Sequence, residues 1–359
     1  MSRVVVGMSG GVDSAVSALL LKRQGFEVIG VFMNNWEEKD EDGVCTSTAD
    51  WNDVQDTCEI IGIPCYSVNF SREYEDRVFS HFLSEYRAGR TPNPDVLCNR
   101  EIKFKAFLDY AVKIGAEKMA TGHFVGRDEQ GRLFKGSDRN KDQSYFLYML
   151  KEAQIRMSLF PVGSMQKAEV RKIAEEAGLP VSVKKDSTGI CFIGERRFRE
   201  FLRQYLPAQA GDILTVSGQK IGRHEGAMCY TIGQRRGLGI GGAGDGRSWF
   251  VVDKDVKNNL IIAAQGEDHP LLYASGALLD QVTWIGEPPC KDGEGCAVSV
   301  KLRYRQADQE ATLVFHREEA SLSFPKPQRA VTPGQSAVLY QGEQCLGGGI
   351  ITAALREEV

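Results

Sequence analysis

The feature that most constrains this chain is a glycine-rich loop between an apolar strand and a helical pattern. The strand signature at residues 4–6 runs into Gly7-Met8-Ser9-Gly10-Gly11-Val12-Asp13-Ser14, and an apolar helical pattern follows at residues 15–21. At such a turn the first helical N–H groups lack partners, the helix dipole is positive, and glycine lets an anion approach the backbone. The order of strand, loop and helix therefore predicts a phosphate site.

The residues of the loop exclude two common nucleotide sites. A Walker A loop ends in a lysine, which residues 12–14 lack, and a Rossmann Gly-x-Gly-x-x-Gly is absent. Residues 9–14 instead resemble the pyrophosphate loop of ATP pyrophosphatases, which cleave ATP between its α and β phosphates. The alternative is an ordinary glycine turn with Ser14 as the helix N-cap. We expect ATP to be held by Gly7, Met8, Ser9, Gly10, Gly11, Val12, Asp13 and Ser14.

Alternating strands and helices predict the fold of the first half. Strands are predicted at 4–7, 28–33, 66–70 and 118–121, and helices at 14–24, 50–61, 72–88, 101–114 and 166–177. This pattern indicates an α/β domain of residues 1–205 with a doubly wound parallel sheet. Ligands of such sheets lie at the carboxyl ends of the strands. We therefore expect the glycine-rich loop, the segment after Met33 and residues 121–123 to lie together.

The second half of the chain is rich in predicted strands. After a basic helix at 196–205, strands at 212–216, 219–221, 249–253 and 260–264 indicate a small β-rich central domain of residues 206–270. Further strands at 297–303, 311–315, 336–340 and 349–351 indicate a C-terminal barrel or sandwich, and we expect a β-barrel over residues 271–359.

Composition and charge narrow the possible partners. The 359 residues carry a net charge of -4, so an RNA partner would need local basic patches such as residues 184–203 and 234–237. The nine cysteines form no Cys-x-x-Cys pair, which argues against a zinc ribbon.

No apolar run approaches the roughly 20 residues of a membrane span, and no signal peptide is evident. We expect a cytoplasmic monomer with no membrane partner.

Two cysteine segments are candidates for chemistry. In residues 89–99 two prolines predict a stiff loop that presents Asp95 and Cys98 ahead of a helix beginning near Asn99. Nearby Arg100 and Lys103 would favour a thiolate and Asp95 would oppose it. Cys191 lies among glycines and close to two lysines, which suits a thiol that carries a labile group. The alternatives are a buried Cys98 with Asp95 as a turn residue, and a Cys191 packed in a strand.

Together these segments resemble one family, the bacterial tRNA-specific 2-thiouridylases. The resemblance covers essentially the whole chain, and the matching motifs occur in the family order. They are residues 9–14, 32–36, 89–104, 120–123, 140–146, 186–201, 233–242 and 332–336.

The resemblance implies a reaction in two steps. ATP, with Mg²⁺, adenylates O2 of the wobble uridine in tRNAs of the Lys, Glu and Gln type, and sulfur then replaces this oxygen with release of AMP and pyrophosphate. Cys191 would carry a persulfide from an upstream donor, either a relay protein or a cysteine desulfurase. Cys98 would form a transient disulfide with Cys191 by one of two routes. Either the persulfide first attacks the base and Cys98 then cleaves the persulfide bond, or Cys98 first frees hydrosulfide, which attacks the base. Asp95 would act as general acid or base.

The resemblance also implies contacts with ATP and tRNA. Met33 and Gly122 match positions on the adenine and ribose side of ATP. Contacts with tRNA would come from Asn93, Pro94, Asp95, His123, Lys141, Asp142, Gln143, Arg303, Tyr304 and Gln335. An extruded wobble base that reaches a pocket fits the way proteins bind splayed loop bases.

Two other functions fit parts of the sequence. Another adenylating enzyme, such as a GMP synthetase or an argininosuccinate synthetase, would share the loop but has no use for the Cys98 and Cys191 pair. A non-catalytic tRNA-binding or sulfur-carrier protein could keep the loop as a relic. The intact Ser9, Asp13, Ser14, Asp95 and both cysteines argue against that second alternative.

Overall fold

The computed structural model describes residues 2–36, 48–186, 198–240 and 244–356. Its strands in these ranges are β1 (Arg3–Met8), β2 (Glu27–Asn34), β3 (Cys65–Asn69), β4 (Lys118–Ala120), β5 (Val125–Arg127), β6 (Leu133–Lys135), β7 (Ser158–Leu159), β8 (Gly211–Thr215), β9 (Lys220–His224), β10 (Trp249–Asp255), β11 (Leu260–Gln265), β12 (Tyr273–Trp284), β13 (Gly295–Lys301), β14 (Gln309–His316), β15 (Glu319–Arg329), β16 (Ser336–Gln341) and β17 (Gln344–Leu355).

The helices alternate with the strands in the first half of the chain. They are α1 (Val12–Arg23), α2 (Thr48–Ile61), α3 (Ser71–Tyr74), α4 (Ser80–Arg87), α5 (Pro94–Cys98), α6 (Phe107–Lys113), α7 (Glu152–Arg156), α8 (Lys167–Glu176) and α9 (Phe198–Tyr205). π-Helical turns at Glu75–Phe79 and Asn99–Ala106 join α3 to α4 and α5 to α6. Short 3₁₀ turns cover Ser144–Phe146, Pro180–Val183, Ala227–Cys229 and Pro270–Leu272. None of the helices in the described ranges has the length and apolar character that crossing a membrane requires.

The N-terminal sheet confirms the predicted α/β fold. Its strands are parallel and lie in the order β3-β2-β1-β4-β7, with β1 paired to β2 and to β4. Valines 4, 5 and 6 of β1 are fully buried, as expected for a central strand covered by helices on both faces. The predicted β-rich central part is also confirmed, as a sheet in the order β10-β11-β8-β9.

The C-terminal strands form a closed barrel, which confirms the barrel rather than the sandwich. Their order is β12-β15-β14-β13-β16-β17, and β12 pairs with β17 to close the ring. The hairpin β5–β6 extends this sheet, because Leu133 and Phe134 pair with Cys345 and Gln344 of β17. The N-terminal part of the chain therefore contributes two strands to the barrel sheet. The predicted domain boundaries at 205 and 270 stay a prediction.

A shared apolar core joins the three parts. One cluster of buried side chains extends from Val5 in the parallel sheet through Ile213 and Val251 in the central sheet to Val338 and Cys345 in the barrel. Such a shared core fixes the barrel and the central sheet relative to helix α5, which carries Asp95 and Cys98.

Candidate active site

The strand order of the parallel sheet changes direction at β1. β2 and β3 lie on one side and β4 and β7 on the other, so the loops after β1 and β4 flank a crevice in which ligands of such sheets bind. Gly122 follows β4 and touches the loop after β1. A Cβ on Gly122 would lie 2.7 Å from the Ser14 nitrogen and 2.7 Å from the Asp13 carbonyl carbon. The two predicted nucleotide segments are therefore in contact.

Internal hydrogen bonds fix the shape of the glycine-rich loop of residues 7–14, named the anion loop below. The Ser9 N–H donates to Ser14 Oγ over 3.1 Å, and the Ser14 hydroxyl donates to the Gly11 carbonyl over 3.0 Å. Helix α1 begins at Val12 with Gly11 as its N-cap, so the alternative in which Ser14 caps the helix is wrong. The first N–H groups of α1 and the positive end of its dipole point toward this loop.

A glycine is required at the bend of the loop. Gly10 has a φ of +70°, and a Cβ there would lie 2.8 Å from the Asp50 carbonyl oxygen. The left-handed backbone and the close approach of α2 both favour glycine. The loop is therefore shaped to present backbone rather than side chains.

An ion-pair network supports the loop from the side of α8. Lys167 donates to Asp13 Oδ1 over 2.6 Å and pairs with Asp186 Oδ1 over 2.9 Å, and Asp186 also pairs with Lys141 and Arg171. Burial would raise the pKa of Asp186, but the hydrogen bonds from Lys141 and Lys167 outweigh it and lower the pKa to about 2. For Asp13 burial dominates over the bond from Lys167, and its pKa is raised. The two carboxylates thus share one ammonium group.

A second lysine ties the loop to α2. Lys184 Nζ donates to the Gly10 carbonyl over 2.9 Å, to Asp50 Oδ1 over 2.7 Å and to Asp53 Oδ2 over 2.5 Å. Burial works against the charge on Lys184, but its bonds to Asp50 and Asp53 prevail and raise its pKa. From the sequence, Lys184 was predicted only as part of a basic patch, and Lys167 was not predicted as a site residue. Neither contact could be expected, because each lysine is more than 100 positions from the loop residue that it binds.

Met33 lies beside the start of the loop. A Cβ on Gly7 would lie 3.1 Å from Met33 Cε and 3.2 Å from a ring carbon of Phe107. Met33 is half-buried at the end of β2, next to the strand that leads into the loop. A thioether and an aromatic ring offer an apolar surface of the kind that a flat base packs against.

The structure corrects the interpretation of the Asp95 and Cys98 segment. Helix α5 begins at Pro94, five residues before the predicted start, so both residues lie in a helix rather than a stiff loop. Asn93 is the N-cap and accepts a hydrogen bond from the Asp95 N–H over 3.2 Å, and Pro94 holds the first helical position. Because they are three residues apart, Asp95 and Cys98 lie on one face of the helix.

Cys98 is a buried thiol, with 1% of its surface exposed, and Asp95 is half-buried. The predicted charge neighbour Arg100 is bound to Glu101 over 2.8 Å, so its charge is largely compensated. Cys191, the second predicted cysteine, lies outside the described residues.

Several residues predicted to bind tRNA have partners within the protein. Asp142 is 3% exposed and pairs with Lys301 of β13 over 3.0 Å, and the Gln143 side chain accepts from the Phe124 N–H over 2.9 Å. His123 bonds to Thr121 over 2.8 Å, and burial lowers its pKa well below the usual value, which favours the neutral ring. The side chains of Asp142, Gln143 and His123 therefore bind other groups of the protein.

The barrel residues with predicted tRNA contacts lie at its junction with the other parts. Arg303 donates to the Ala330 carbonyl over 3.0 Å and to the Ile232 carbonyl over 3.3 Å. The Tyr304 ring lies 4.4 Å from that of Phe146. Gln335 Nε2 donates to the Thr91 carbonyl over 2.7 Å. The barrel thus contacts the segment that leads into α5.

Comparison with known proteins places this geometry in a family. Three family models match in order: a tRNA methyl transferase HUP domain over residues 2–195, a tRNA methyl transferase PRC-barrel domain over 199–265, and an aminomethyltransferase beta-barrel domain over 275–351. Proteins named tRNA-specific 2-thiouridylase MnmA match along their whole length. Those of Alkaliphilus oremlandii and Proteus mirabilis are 55% and 56% identical, over 99% of this chain and 98% of each relative.

The protein of the same name from Streptococcus sanguinis is 56% identical over 99% of this chain and 96% of its own. The matched region covers 99% of this chain in each case, so it includes the glycine-rich loop, the α5 helix and the barrel. The chain belongs to the family of tRNA-specific 2-thiouridylases.

Proposed function

We propose that this chain is a tRNA sulfurtransferase that uses ATP to replace O2 of the wobble uridine with sulfur. The observation that carries the proposal is the contact of Gly122 with the anion loop at the switch point of the sheet. This contact brings together two segments that would hold the phosphates of ATP, in a chain whose full-length relatives are named tRNA-specific 2-thiouridylases. The tRNAs for Lys, Glu and Gln are the proposed substrates.

The first step activates a poor leaving group. The uridine O2 attacks the α-phosphorus of ATP, the bond to the β-phosphate breaks, and pyrophosphate leaves. Backbone N–H groups of residues 10–12 would stabilise the departing charge, because the hydrogen bonds among Ser9, Gly11 and Ser14 hold the loop in shape before the reaction begins. The Ser9 and Ser14 hydroxyls would contribute by exchanging these bonds for bonds to the phosphates. Met33 and Gly122 would border the adenine and ribose. Asp95 would serve as the general acid or base beside the uridine.

Mg²⁺ in nucleotide sites is commonly held by one or two carboxylates together with phosphates. In the described ranges no group of three or more His, Cys, Asp or Glu side chains is arranged to hold a metal ion. The Asp13 carboxylate fits the arrangement of one carboxylate together with phosphates, because it lies in the anion loop and makes its bond to Lys167 through Oδ1. Bound there with the phosphates, Mg²⁺ would neutralise part of their charge.

The second step delivers sulfur. In one route the terminal sulfur of a Cys191 persulfide attacks C2, the C2–O2 bond breaks and AMP leaves; the Cys98 thiolate then attacks Cys191 Sγ and releases thiouridine. In the other route Cys98 attacks first and frees hydrosulfide, which attacks C2. Both routes end in a Cys98–Cys191 disulfide that an external thiol must reduce. The persulfide would come from a relay protein or a cysteine desulfurase.

The tRNA would bind with its wobble base near residues 93–95. His123, Lys141, Asp142, Gln143, Arg303, Tyr304 and Gln335 are proposed to contribute either directly or by holding the surface that the tRNA meets. A monomeric, cytoplasmic enzyme is part of this proposal.

Pyrophosphate release tests the proposal against its alternatives. With ATP and unmodified tRNA we expect pyrophosphate release, and with ATP alone or with fully 2-thiolated tRNA we expect none. A synthetase for a small nitrogen compound would release pyrophosphate without tRNA when its acceptor is supplied. A non-catalytic tRNA-binding or sulfur-carrier protein would release none under any condition. Either result would contradict the proposal.

A further inference from the structure

Three parts of the molecule meet at Thr91, three residues before the helix that carries Asp95 and Cys98. The Thr91 N–H donates to the Pro333 carbonyl over 2.9 Å, and the Thr91 carbonyl accepts from Gln335 Nε2 over 2.7 Å. The Thr91 hydroxyl lies 3.3 Å from that of Thr231 in the central part. Both backbone polar groups of this buried residue are thus bound by one turn of the barrel.

The fit between this turn and Thr91 is close. Gly334 has a φ of +91°, and a Cβ there would lie 2.7 Å from the Thr91 nitrogen. Two positions after Gly334, the Ser336 carbonyl accepts a hydrogen bond from the Tyr145 hydroxyl over 3.1 Å. Two successive contacts therefore join the barrel turn to the N-terminal part at the entrance of α5.

We infer that Gln335 is a positioning residue: its amide holds the Thr91 backbone and so keeps α5, with Asp95 and Cys98, in place for sulfur transfer. Helix α5 is short and continues into a π-helical turn, so its first turn depends on contacts made just before it. Asn93 and Pro94 define where the helix begins. The hydrogen bond from Gln335 holds the backbone at Thr91, just before these two residues.

This inference rests on the proposed function for its activity measurement, and it gives Gln335 a different role from a direct contact with tRNA. A direct contact would change the affinity for tRNA. A positioning role would change the rate of the chemical steps and the protection of the buried Cys98 thiol. The two roles are therefore separable by kinetics and by thiol labelling.

The test compares Gln335→Ala and Gln335→Glu with wild type. A glutamate has the same length but is ionised and cannot donate to the Thr91 carbonyl, so both variants lose the bond. We expect the kcat for 2-thiouridine formation to fall about tenfold in each, with the KM for tRNA within about twofold of wild type. Gln341→Ala, at an exposed position of the same barrel, is the matched control and is expected to match wild type.

Alkylation of thiols by iodoacetamide gives the readout that does not depend on activity. We expect Cys98 to react about tenfold faster in both Gln335 variants, whereas Cys345, fully buried in the barrel, keeps its wild-type rate. Faster labelling of both cysteines would mean global loosening and would contradict a local role. A raised KM with unchanged kcat and Cys98 labelling would also overturn the inference. If wild type itself forms no 2-thiouridine, the proposed function fails instead, and the labelling result still tests the contact.

Discussion

Replacing Cys191 by serine is expected to abolish 2-thiouridine formation, while the rate of tRNA-dependent pyrophosphate release in the first turnover stays within about twofold of wild type. The first step needs the anion loop, ATP and the uridine, none of which involves this thiol. The second step needs a sulfur atom that can carry another, which a hydroxyl cannot do. The measurement is 2-thiouridine by mass spectrometry of digested tRNA, with pyrophosphate assayed in the same reactions.

The control for this substitution is Cys290→Ser, at a half-buried cysteine between β12 and β13, and this variant should behave as wild type. Normal amounts of 2-thiouridine from the Cys191→Ser protein would show that Cys191 carries no persulfide. Loss of both pyrophosphate release and thiolation would also contradict the account, because Cys191 would then be needed for the first step as well as for the second.

Replacing Cys98 by serine distinguishes the two routes of sulfur delivery. If the persulfide attacks C2, the variant should stop with tRNA bonded to Cys191 through a disulfide, which dithiothreitol cleaves. If Cys98 must first free hydrosulfide, no such adduct forms and the persulfide persists on Cys191. A denaturing gel with and without dithiothreitol separates these outcomes.

Replacing Gly122 by alanine is expected to lower tRNA-dependent pyrophosphate release by about 100-fold or more. The added Cβ would lie 2.7 Å from the Ser14 nitrogen and 2.7 Å from the Asp13 carbonyl carbon. Both are backbone atoms at the start of α1, so the clash is relieved only by moving the loop away from β4. A displacement of this size would disturb the N–H groups that stabilise the leaving pyrophosphate.

The matched control for Gly122 is Gly295→Ala. A Cβ at Gly295 would meet its neighbours at 3.6 Å or more, which is ordinary contact, so this variant should keep wild-type activity. Circular dichroism and the thermal midpoint of both variants should show that they remain folded. Wild-type pyrophosphate release from folded Gly122→Ala protein would mean that the contact between β4 and the loop does not shape the ATP site.

The parts of the site that are local in sequence could be predicted. The anion loop is contiguous and is preceded by a strand and followed by a helix, and the alternation of elements placed residues 121–123 at the same sheet edge. The parallel sheet therefore followed from periodicity alone. The contact of Gly122 with Ser14 is the direct consequence of that topology.

The start of α5 was mispredicted because proline is favoured in two different structural contexts. Pro92 and Pro94 indicated a stiff loop, but a proline is also favoured at the first position of a helix after an Asn cap. Pro94 is in this second context. β15 was missed for a related reason, since Pro325 and Pro327 interrupt an otherwise alternating pattern of inward Ala320, Leu322 and Phe324.

Contacts between distant residues could not be predicted from one sequence. Lys167 reaches Asp13 across 154 positions, and Gln335 reaches Thr91 across 244. The β5–β6 hairpin joins the barrel sheet although it lies in the N-terminal half. Such pairs depend on how the three parts pack, and neither periodicity nor motif spacing reports that packing. For Gln335 and Asp142 the motif resemblance named the residues but not the protein groups that they bind.

The most direct test of the central claim follows one oxygen atom. If the uridine O2 attacks the α-phosphorus, that oxygen must leave with AMP when sulfur takes its place. With tRNA that carries oxygen-18 at O2 of the wobble uridine, the account predicts one labelled oxygen in the AMP phosphate for each 2-thiouridine formed. Unlabelled AMP produced together with 2-thiouridine would contradict adenylation of the base.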